Sequence, residues 1–305
     1  MFRAKGTRRF IAWVLVIVFS CLMLDFPLFA NATQEIQEGK AYMIKNSYIQ
    51  DAYLYEASGQ VRYGKPTDFT DPSYYWVVEE DSDTGLSRIK NVATGHYMNY
   101  VDQMDYNDPI ACVELEEAQY SLFSMNGQVE GSIIKYNMIA STNSNLVVHI
   151  EQQMGHAQCS NWAQPSWGTA NWIFIDPSEN PFLIENSHIS GAYLYESDGK
   201  VLYGTPEDTS NPICHWVVEP DANGLGKVRI KNVATGHYMN YVDEMNYNDP
   251  VECVDFEQAD YSLFYVNGMD EGGIIKHNII ASTNSNLVMH IEQQLGHAQC
   301  SNWAQ

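Results

Sequence analysis

The sequence has few basic residues, no long hydrophobic run and no long block with helical periodicity. Lysine and arginine number 16 against 38 aspartate and glutamate residues, and the formal net charge is −22. So acidic a surface repels phosphate backbones, which argues against nucleic acid as a partner and favours a neutral ligand. The frequent Gly, Asn, Tyr and Ser residues favour many short strands joined by turns.

Motifs of catalysis and metal binding are also missing. The sequence has no nucleophile elbow, no phosphate-binding loop and no Cys/His spacing typical of zinc. The acidic stretch VDQMDYND at 101–108 lacks EF-hand spacing, which favours a solvated loop over a calcium site. We therefore predict no cofactor and no metal. A glycoside hydrolase that uses two carboxylates, for example Glu56 and Glu151, stays open as an alternative.

The amino terminus has the layout of a secretory signal peptide. Basic residues precede an apolar run from Ile11 to Leu24, and Ala30-Asn31-Ala32 forms an A-x-A cleavage signal. The run is short for a membrane span. We expect residues 1–32 to be removed and the mature chain to be secreted, without a membrane span.

A long internal duplication occupies the rest of the sequence. Residues 43–164 recur as residues 183–305, displaced by 140 to 141 positions, and the segment NVATGHYMNYV occurs twice without change. A duplication this plain predicts two similar domains, residues 38–176 and residues 181–305, joined by a short link that contains two prolines.

Each copy subdivides again into three stretches of similar length. In the first copy each stretch opens on a β-rich segment, passes a turn and closes on an aromatic residue, which is Trp76, Phe123 or Trp172. Three such units packed around a pseudo-threefold axis give twelve short strands in a closed barrel capped by hairpins. We therefore predict an all-β fold of two tandem β-trefoil domains. The alternative, a β-sandwich, does not explain the count of three.

The second copy ends where its twelfth strand would begin. The first copy continues past Gln164 through PSWGTANWIFI, whereas no counterpart follows Gln305. A trefoil without this strand exposes core surface and an unpaired edge. We favour a truncated sequence as the explanation, and a strand supplied by another segment or molecule is the alternative.

Five cysteines remain after the predicted leader. The offset of 141 relates Cys112 to Cys253 and Cys159 to Cys300, and Cys214 has no counterpart. In an oxidising compartment the natural pairing is one disulfide per domain, Cys112–Cys159 and Cys253–Cys300. Buried free thiols are the alternative.

Three motifs of the first copy belong together. They are Ala52-Tyr53-Leu54-Tyr55 with glycines after it, the phrase Thr94-Gly95-His96-Tyr97-Met98, and the closing tryptophans. Together they resemble ricin-B-type lectin trefoils, and the resemblance covers nearly all of residues 40–305. It implies carbohydrate-binding modules of the kind found in secreted glycanases, toxins and haemagglutinins. The Q-x-W that usually closes each unit of that family is missing here, so its binding residues are not transferred.

A sugar site needs an aromatic face and a few fixed polar groups, and both recur in clusters in each unit. The third units, which we favour most, supply His149, Glu151, Gln152, His156, Gln158 and Trp162, with their copies His290, Glu292, Gln293, His297, Gln299 and Trp303. The second units supply His96, Tyr97, Asn99 and Tyr100, with His237, Tyr238, Asn240 and Tyr241. The first units supply Tyr53, Tyr55 and Glu56, with Tyr193, Tyr195 and Glu196. A single tyrosine such as Tyr53 or Tyr97 is equally typical of a core.

These features predict a secreted protein that binds neutral glycans at repeated shallow sites and does not cleave them. The expected partner is a polysaccharide or a glycoconjugate. Two alternatives stay open. One is a glycoside hydrolase or an accessory fragment of one, and the other is a protein-binding trefoil such as an inhibitor or a toxin-type adhesin.

Overall fold

The computed structural model describes residues 17–18, 35–100, 107–131, 133–179, 181–223, 225–241, 249–270, 275–292 and 296–302. Nearly all of the predicted leader lies outside these ranges, as do Gln293, Trp303 and most of the acidic stretch. The first described element is a two-residue strand, β1 (Ile17–Val18). No α-helix occurs in the described ranges, and thus none that could cross a membrane.

One compact unit is formed mainly by residues 35–181 and also includes residues 217–229. Its strands within the first copy are β2 (Ala41–Asn46), β3 (Tyr53–Ala57), β4 (Gln60–Gly64), β5 (Tyr75–Asp81), β6 (Leu86–Asn91), β7 (Tyr97–Asn99), β8 (Ala111–Val113), β9 (Phe123–Glu130), β10 (Ile133–Ala140), β11 (Val147–Ile150), β12 (Ala157–Ser160) and β13 (Trp172–Ile175). Short 3₁₀ helices lie between them: η1 (Pro72–Tyr74), η2 (Leu115–Glu117), η3 (Gly168–Ala170) and η4 (Pro177–Glu179).

Six of these strands close into a ring. The strand β2 pairs with β5, β5 with β6, β6 with β9, β9 with β10, β10 with β13, and β13 with β2, always antiparallel. The other six form the hairpins β3–β4, β7–β8 and β11–β12. These hairpins meet one another through the β4–β8 pair and a bridge between Arg62 and His156. A closed ring of six strands with three hairpins is the β-trefoil architecture, as predicted.

The closing aromatics form the centre of the core. Trp76, Phe123 and Trp172 are fully buried in one apolar cluster. The indole N–H of Trp76 donates to the backbone carbonyl of Leu54, and that of Trp172 donates to the carbonyl of Val148, both at 3.0 Å. Because the two carbonyls lie on β3 and β11, the second strands of their units, each bond ties a unit's last strand to its hairpin.

Hairpin turns follow from residues that tolerate positive φ. Ser58 and Gly59 join β3 to β4 with φ values of 56° and 70°. Asp198 and Gly199 repeat the turn in the second copy at 53° and 69°. Two-residue hairpins of this kind need positive φ at both positions, which glycine adopts without steric cost.

The second unit is formed mainly by residues 182–305. Elements of the second copy are the strands β14 (Phe182–Leu183), β15 (Glu185–Asn186), β16 (Tyr193–Ser197), β17 (Lys200–Gly204), β18 (His215–Pro220), β19 (Val228–Asn232), β20 (Tyr238–Asn240), β21 (Glu252–Val254), β22 (Phe264–Asp270), β23 (Ile275–Ala281), β24 (Val288–Ile291) and β25 (Ala298–Ser301), with the 3₁₀ helices η5 (Pro212–Cys214) and η6 (Phe256–Gln258). As in the first copy, a fully buried tryptophan, Trp216, donates its indole N–H to the carbonyl of Leu194, at 3.1 Å.

The place of β13 is taken in the second unit by β1. This strand pairs antiparallel with β15 and β23, with Ile17 opposite His277. In the first unit Trp172 lies opposite Tyr136 in the same way. Ile17 and Val18 belong to the predicted leader, residues 1–32, so this pairing would be lost when the leader is removed.

The predicted disulfides Cys112–Cys159 and Cys253–Cys300 are not formed. All the cysteines in the described residues are free and buried. Cys112 and Cys159 are instead packed as separate thiols in the apolar core. Burial raises the pKa of the Cys112 and Cys159 thiols, and the nearby carboxylate of Glu56, to which the Cys112 thiol donates, adds to the effect at Cys112. This pairing was a wrong prediction for this structure.

Candidate functional site

The third-unit residues that the sequence favoured most lie largely in the interior. His149 and Gln158 face each other across β11 and β12, and both are fully buried. The imidazole Nε2 of His149 is 2.8 Å from Oγ of Ser160. The amide oxygen of Gln158 accepts the backbone N–H of Asn107 at 3.1 Å. These side chains hold a hairpin and a loop together, so their assignment to a surface sugar site was wrong.

The second copy repeats this buried arrangement. His290 and Gln299 are almost wholly inaccessible, and Nε2 of His290 is 2.6 Å from Oγ of Ser301. Burial lowers the pKa of His149 and of His290, because desolvation disfavours the charged imidazole. Neighbouring glutamates oppose this effect without reversing it. His290 and Gln299 therefore also do not line a surface site.

The remaining third-unit candidates are more accessible. Gln152 and Trp162 are exposed, whereas Glu151, His156, Glu292 and His297 are half-buried. The imidazole Nε2 of His156 is 2.9 Å from the backbone oxygen of Asn107, so this histidine holds the same loop as Gln158.

Most second-unit candidates also belong to the core. Tyr100 and Tyr241 are fully buried, and Asn99, Asn240, Tyr97 and Tyr238 are less than a tenth exposed. The amide oxygens of Asn99 and Asn240 accept backbone N–H groups of Tyr120 and Tyr261. Burial raises the pKa of Tyr97 to about 12, and the hydrogen bond that its hydroxyl donates to Glu79 at 2.8 Å adds to the effect. These tyrosines and asparagines are therefore core residues and do not line a surface sugar site.

The first-unit tyrosines occupy an intermediate position. Tyr53, Tyr55, Tyr193 and Tyr195 are half-buried. The Tyr55 ring packs against Tyr74 with centroids 4.8 Å apart. These half-buried rings therefore pack on neighbouring residues and do not offer a fully exposed face to a ligand.

Two candidates from different units meet in the structure. Glu56, on β3, is 7% exposed, and its Oε1 lies 2.8 Å from Nδ1 of His96, after β6. The Thr94 hydroxyl donates to Oε2, and the Cys112 thiol donates to the same carboxylate. A carboxylate that serves as acceptor fixes the hydrogen of the imidazole on Nδ1 and holds the ring in one orientation. We call Glu56, His96 and their counterparts in the second copy the Glu–His cluster.

The outer edge of the cluster reaches the surface. Nε2 of His96 is 3.4 Å from Oε1 of Glu114, whose side chain is 66% exposed. Leu115 follows Glu114 at the start of η2 and is 51% exposed. An imidazole edge and a carboxylate therefore come together here, and an exposed apolar residue follows the acid in the sequence.

The second copy contains the same cluster. Nδ1 of His237 lies 2.6 Å from Oε1 of Glu196, and Thr235 donates to the other carboxylate oxygen. Nε2 of His237 is 3.6 Å from Oδ1 of Asp255. The recurrence shows that the arrangement is a property of the repeat and not of one copy.

One difference between the copies concerns the apolar residue. Phe256 stands where the first copy has Leu115, and it is 57% exposed. Its ring lies 5.5 Å from that of Tyr238 in an edge-on contact. The second copy therefore has an exposed aromatic side chain next in sequence to Asp255 and packed on Tyr238.

Sequence analysis named Glu56, His96, Glu196 and His237 but did not bring them together. It missed the surface residues next to the cluster, which are Glu114 and Asp255, and the apolar residues that follow them, Leu115 and Phe256. A signal was available, since the offset of 141 pairs Glu114 with Asp255 and so keeps an acid two residues after the shared cysteine.

A cavity of about 420 Å³ lies elsewhere in the first unit. Its lining combines acids, such as Glu35 and Glu80, with apolar residues, such as Val78 and Met125. It includes none of the predicted site residues. In the part of the chain that is described, no group of three or more His, Cys, Asp or Glu side chains is placed to hold a metal ion.

Comparison with known proteins gives only distant likenesses. No protein-family model and no curated protein matches the sequence. Similar solved structures include a GlcNAcα1-4Gal-releasing endo-β-galactosidase from Clostridium perfringens (24% identity, 45% of this chain and 32% of that chain, TM-score 0.38). They also include a mosquitocidal holotoxin (13% identity, 88% of this chain and 33% of that chain, TM-score 0.42). A third is the Polyporus squamosus lectin (12% identity, 49% of this chain and 52% of that chain, TM-score 0.39). This chain thus spans 32% to 52% of their lengths, and its trefoil fold is established by its own strand pairing.

Proposed function

We propose that the protein is a secreted, carbohydrate-binding protein that holds neutral glycans at the Glu–His cluster of each copy without cleaving them. The observation that carries this proposal is the recurrence of the cluster. A buried glutamate orients a half-exposed histidine beside a surface acid in both copies, with Nε2-to-carboxylate distances of 3.4 Å and 3.6 Å.

The polar part of the cluster suits a pair of hydroxyl groups. Nε2 lies at the exposed edge of the imidazole, where it can share a hydrogen bond with a ligand hydroxyl. The carboxylate of Glu114 or Asp255 is an acceptor a few ångströms away. Two neighbouring hydroxyls of one sugar ring, each able to donate and to accept, can meet these two groups. We therefore expect recognition of a vicinal diol.

The apolar part supplies the other half of a sugar site. A pyranose has a face of C–H groups that packs against flat apolar side chains. Phe256 provides such a face in the second copy, whereas Leu115 provides a smaller one in the first. We therefore expect the second copy to bind more tightly. Two linked sites raise the avidity for a polymeric ligand beyond that of either site alone.

Binding is favoured over hydrolysis because the carboxylate of Glu56 is buried and already hydrogen-bonded. Glycoside hydrolysis needs two carboxylates that face the scissile bond. Both carboxylate oxygens of Glu56 already have donors, and its side chain is 3% exposed beneath His96. A second acid such as Glu151 therefore has no accessible partner in Glu56.

The test is a neutral-glycan array followed by titration calorimetry on each glycan that binds. Two reciprocal variants, Phe256→Leu and Leu115→Phe, exchange the apolar residue between the copies. We expect Phe256→Leu to weaken the tighter site about tenfold, because one aromatic contact is lost, and Leu115→Phe to strengthen the other site. His237→Ala should remove binding at the second copy.

The matched control is Glu257→Gln, which changes an exposed charge in η6 without touching the cluster. It should bind like the wild-type protein. A folded protein that binds no glycan on the array, or one whose affinities are unmoved by His237→Ala and His96→Ala together, would contradict the proposal. New reducing ends in polysaccharide incubations would favour the hydrolase alternative.

A further inference from the structure

Two exposed aromatic residues of the first unit lie on short loops that contact each other. Tyr48, in the turn after β2, is 72% exposed, and Trp167, just before η3, is 40% exposed. The Tyr48 side chain lies directly on the backbone of Gly168, where an added Cβ would come within 2.7 Å of it. We call Tyr48 and Trp167 the aromatic shelf. Neither residue belongs to the Glu–His cluster.

The loop that carries Tyr48 is held by a buried amide. Asn46 is 1% exposed, and its Oδ1 accepts the backbone N–H groups of Tyr48 and Ile49, at 3.0 Å and 2.9 Å. Its Nδ2 donates to the carbonyl of Thr169 at 3.0 Å. One side chain thus fixes the Tyr48 turn against the η3 loop.

Two further buried amides hold the loop that carries Trp167. Nδ2 of Asn171 donates to the carbonyls of Trp167 and Pro165, at 2.6 Å and 3.1 Å. Nδ2 of Asn137 donates to the same Pro165 carbonyl and to that of Ala170. Because the backbone is held firmly, little conformational entropy is lost when a ligand stacks on the exposed rings.

The Trp167 side of the shelf is uncharged, whereas the turn that carries Tyr48 leads to Asp51, which is paired with Lys65 at 3.4 Å. Residues 152–175 contain no Asp, Glu, Lys or Arg, although the whole chain carries a formal charge of −22. The exposed neighbours of Trp167 in this loop are neutral, Gln164 and Ser166 among them. Amides, hydroxyls and aromatic faces without charge suit a neutral polyhydroxylated ligand, whereas a cationic partner would be drawn to the acidic surface elsewhere.

We propose that the aromatic shelf is a separate saccharide-binding site, in which Tyr48 and Trp167 stack on the apolar face of a neutral sugar ring and Gly168 keeps Tyr48 in place. The class of ligand rests on the proposed function, but the site is independent of the Glu–His cluster. It makes the first copy differ from the second in its binding.

The size of the shelf favours a sugar over a protein partner. A stable protein interface covers about 800 Å² on each side and has an apolar centre. Here the exposed rings lie among polar residues, and Pro165 is the one exposed aliphatic residue between positions 161 and 170. Two rings match the footprint of one or two sugar units.

The second copy provides a matched control. His188 occupies the position of Tyr48, and its backbone N–H is accepted by Asn186 at 2.8 Å, as Tyr48 is by Asn46. Tyr48→Ala and His188→Ala therefore alter equivalent turns, and only the first of them removes a residue of the shelf.

The experiment starts from His96→Ala/His237→Ala, which removes the cluster sites and leaves the shelf. Binding of cellohexaose, xylohexaose, mannohexaose and chitohexaose is followed by tryptophan fluorescence and calorimetry. At least one of them should bind this variant and change its fluorescence. Adding Tyr48→Ala or Trp167→Ala should weaken that binding about tenfold. Gly168→Ala should do the same by displacing the Tyr48 ring, and His188→Ala should have no effect.

The outcomes separate this inference from the proposed function. If the cluster variant binds none of the four sugars while the wild-type protein binds one, the shelf proposal is overturned and the cluster proposal stands. If the cluster variant binds one as tightly as the wild-type protein and the shelf substitutions abolish it, the shelf is supported and the cluster is wrong. Binding unaffected by all three shelf substitutions overturns the shelf, as does a wild-type protein that binds none. Circular dichroism of each variant establishes that it is folded.

Discussion

His237 places Nδ1 2.6 Å from Oε1 of Glu196, so a half-exposed imidazole is held in position by an acid that is itself 3% exposed. The first copy repeats the relationship between His96 and Glu56 at 2.8 Å. Since each glutamate lies on the first-unit hairpin and each histidine follows the first strand of the second unit, the pair also links two units of the trefoil.

The substitution Glu196→Gln tests this link. The amide keeps the shape of the side chain, but its NH₂ group cannot accept a hydrogen bond from Nδ1 of His237 or from Thr235. One buried donor is then left unsatisfied, and we expect the free energy of unfolding to fall by about 1–3 kcal/mol. Urea denaturation measures the change, and Glu257→Gln on the exposed face of η6 is the control. An unchanged midpoint would show that the buried acid is not needed to hold the histidine.

The substitution Trp172→Phe tests the threefold core. The ring is fully buried, and its N–H donates to the Val148 carbonyl at 3.0 Å. Phenylalanine leaves that carbonyl without its donor and leaves space where the larger ring lay. We expect a loss of about 2–4 kcal/mol, measured by urea denaturation.

Trp162→Phe is the matched control, because this tryptophan is 63% exposed. Its effect should stay within about 0.5 kcal/mol. Equal losses for the two substitutions would contradict the role assigned to Trp172 as a buried member of the aromatic core.

The core was predictable from the sequence because its signal is local and repeated. Trp76, Phe123 and Trp172 recur at nearly constant spacing in apolar strands, and each occupies the same place in its unit. The pairing of β1 with β15 and β23 was not predictable, because β1 is remote from them in sequence and no periodicity links them.

The site was less predictable because burial of its polar residues depends on neighbours from other units. His149 and Gln158 lie in strands in which every residue is buried. Their alternation with apolar residues therefore does not mark an outer face. Glu56 and His96, by contrast, come from different units, 40 residues apart in the sequence. Only the packing of one hairpin against the next unit brings them together.

The cysteines give a chemical test of the interior. Burial raises the pKa of the Cys300 thiol to about 12 and also raises that of Cys112, so neither forms the reactive thiolate near neutral pH. We expect iodoacetamide to leave the described cysteines unmodified in the folded protein and to alkylate all of them in denaturant without a reductant. Mass spectrometry counts the additions. Alkylation in denaturant that requires prior reduction would show that disulfides form after all.

The buried histidines predict how stability depends on pH. Burial lowers the folded-state pKa of His149 and His290 from the value of 6.5 expected in the unfolded chain. Below that value the unfolded state binds more protons, so stability is complete above about pH 6.5 and falls as the pH drops toward the folded-state pKa. Each histidine that stays neutral contributes a slope of up to about 1.4 kcal/mol per pH unit.

The measurement is the urea midpoint between about pH 7.5 and about pH 5, where acidic side chains remain largely ionised. His149→Gln/His290→Gln should flatten the dependence, because glutamine does not titrate. His215, whose pKa burial also lowers, leaves a residual slope of the same sign. The control is His188→Gln in the exposed turn of the second copy, which should keep the wild-type slope. If the double variant lost as much stability on acidification as the wild-type protein, the acid sensitivity would have to arise from groups other than these two interior imidazoles.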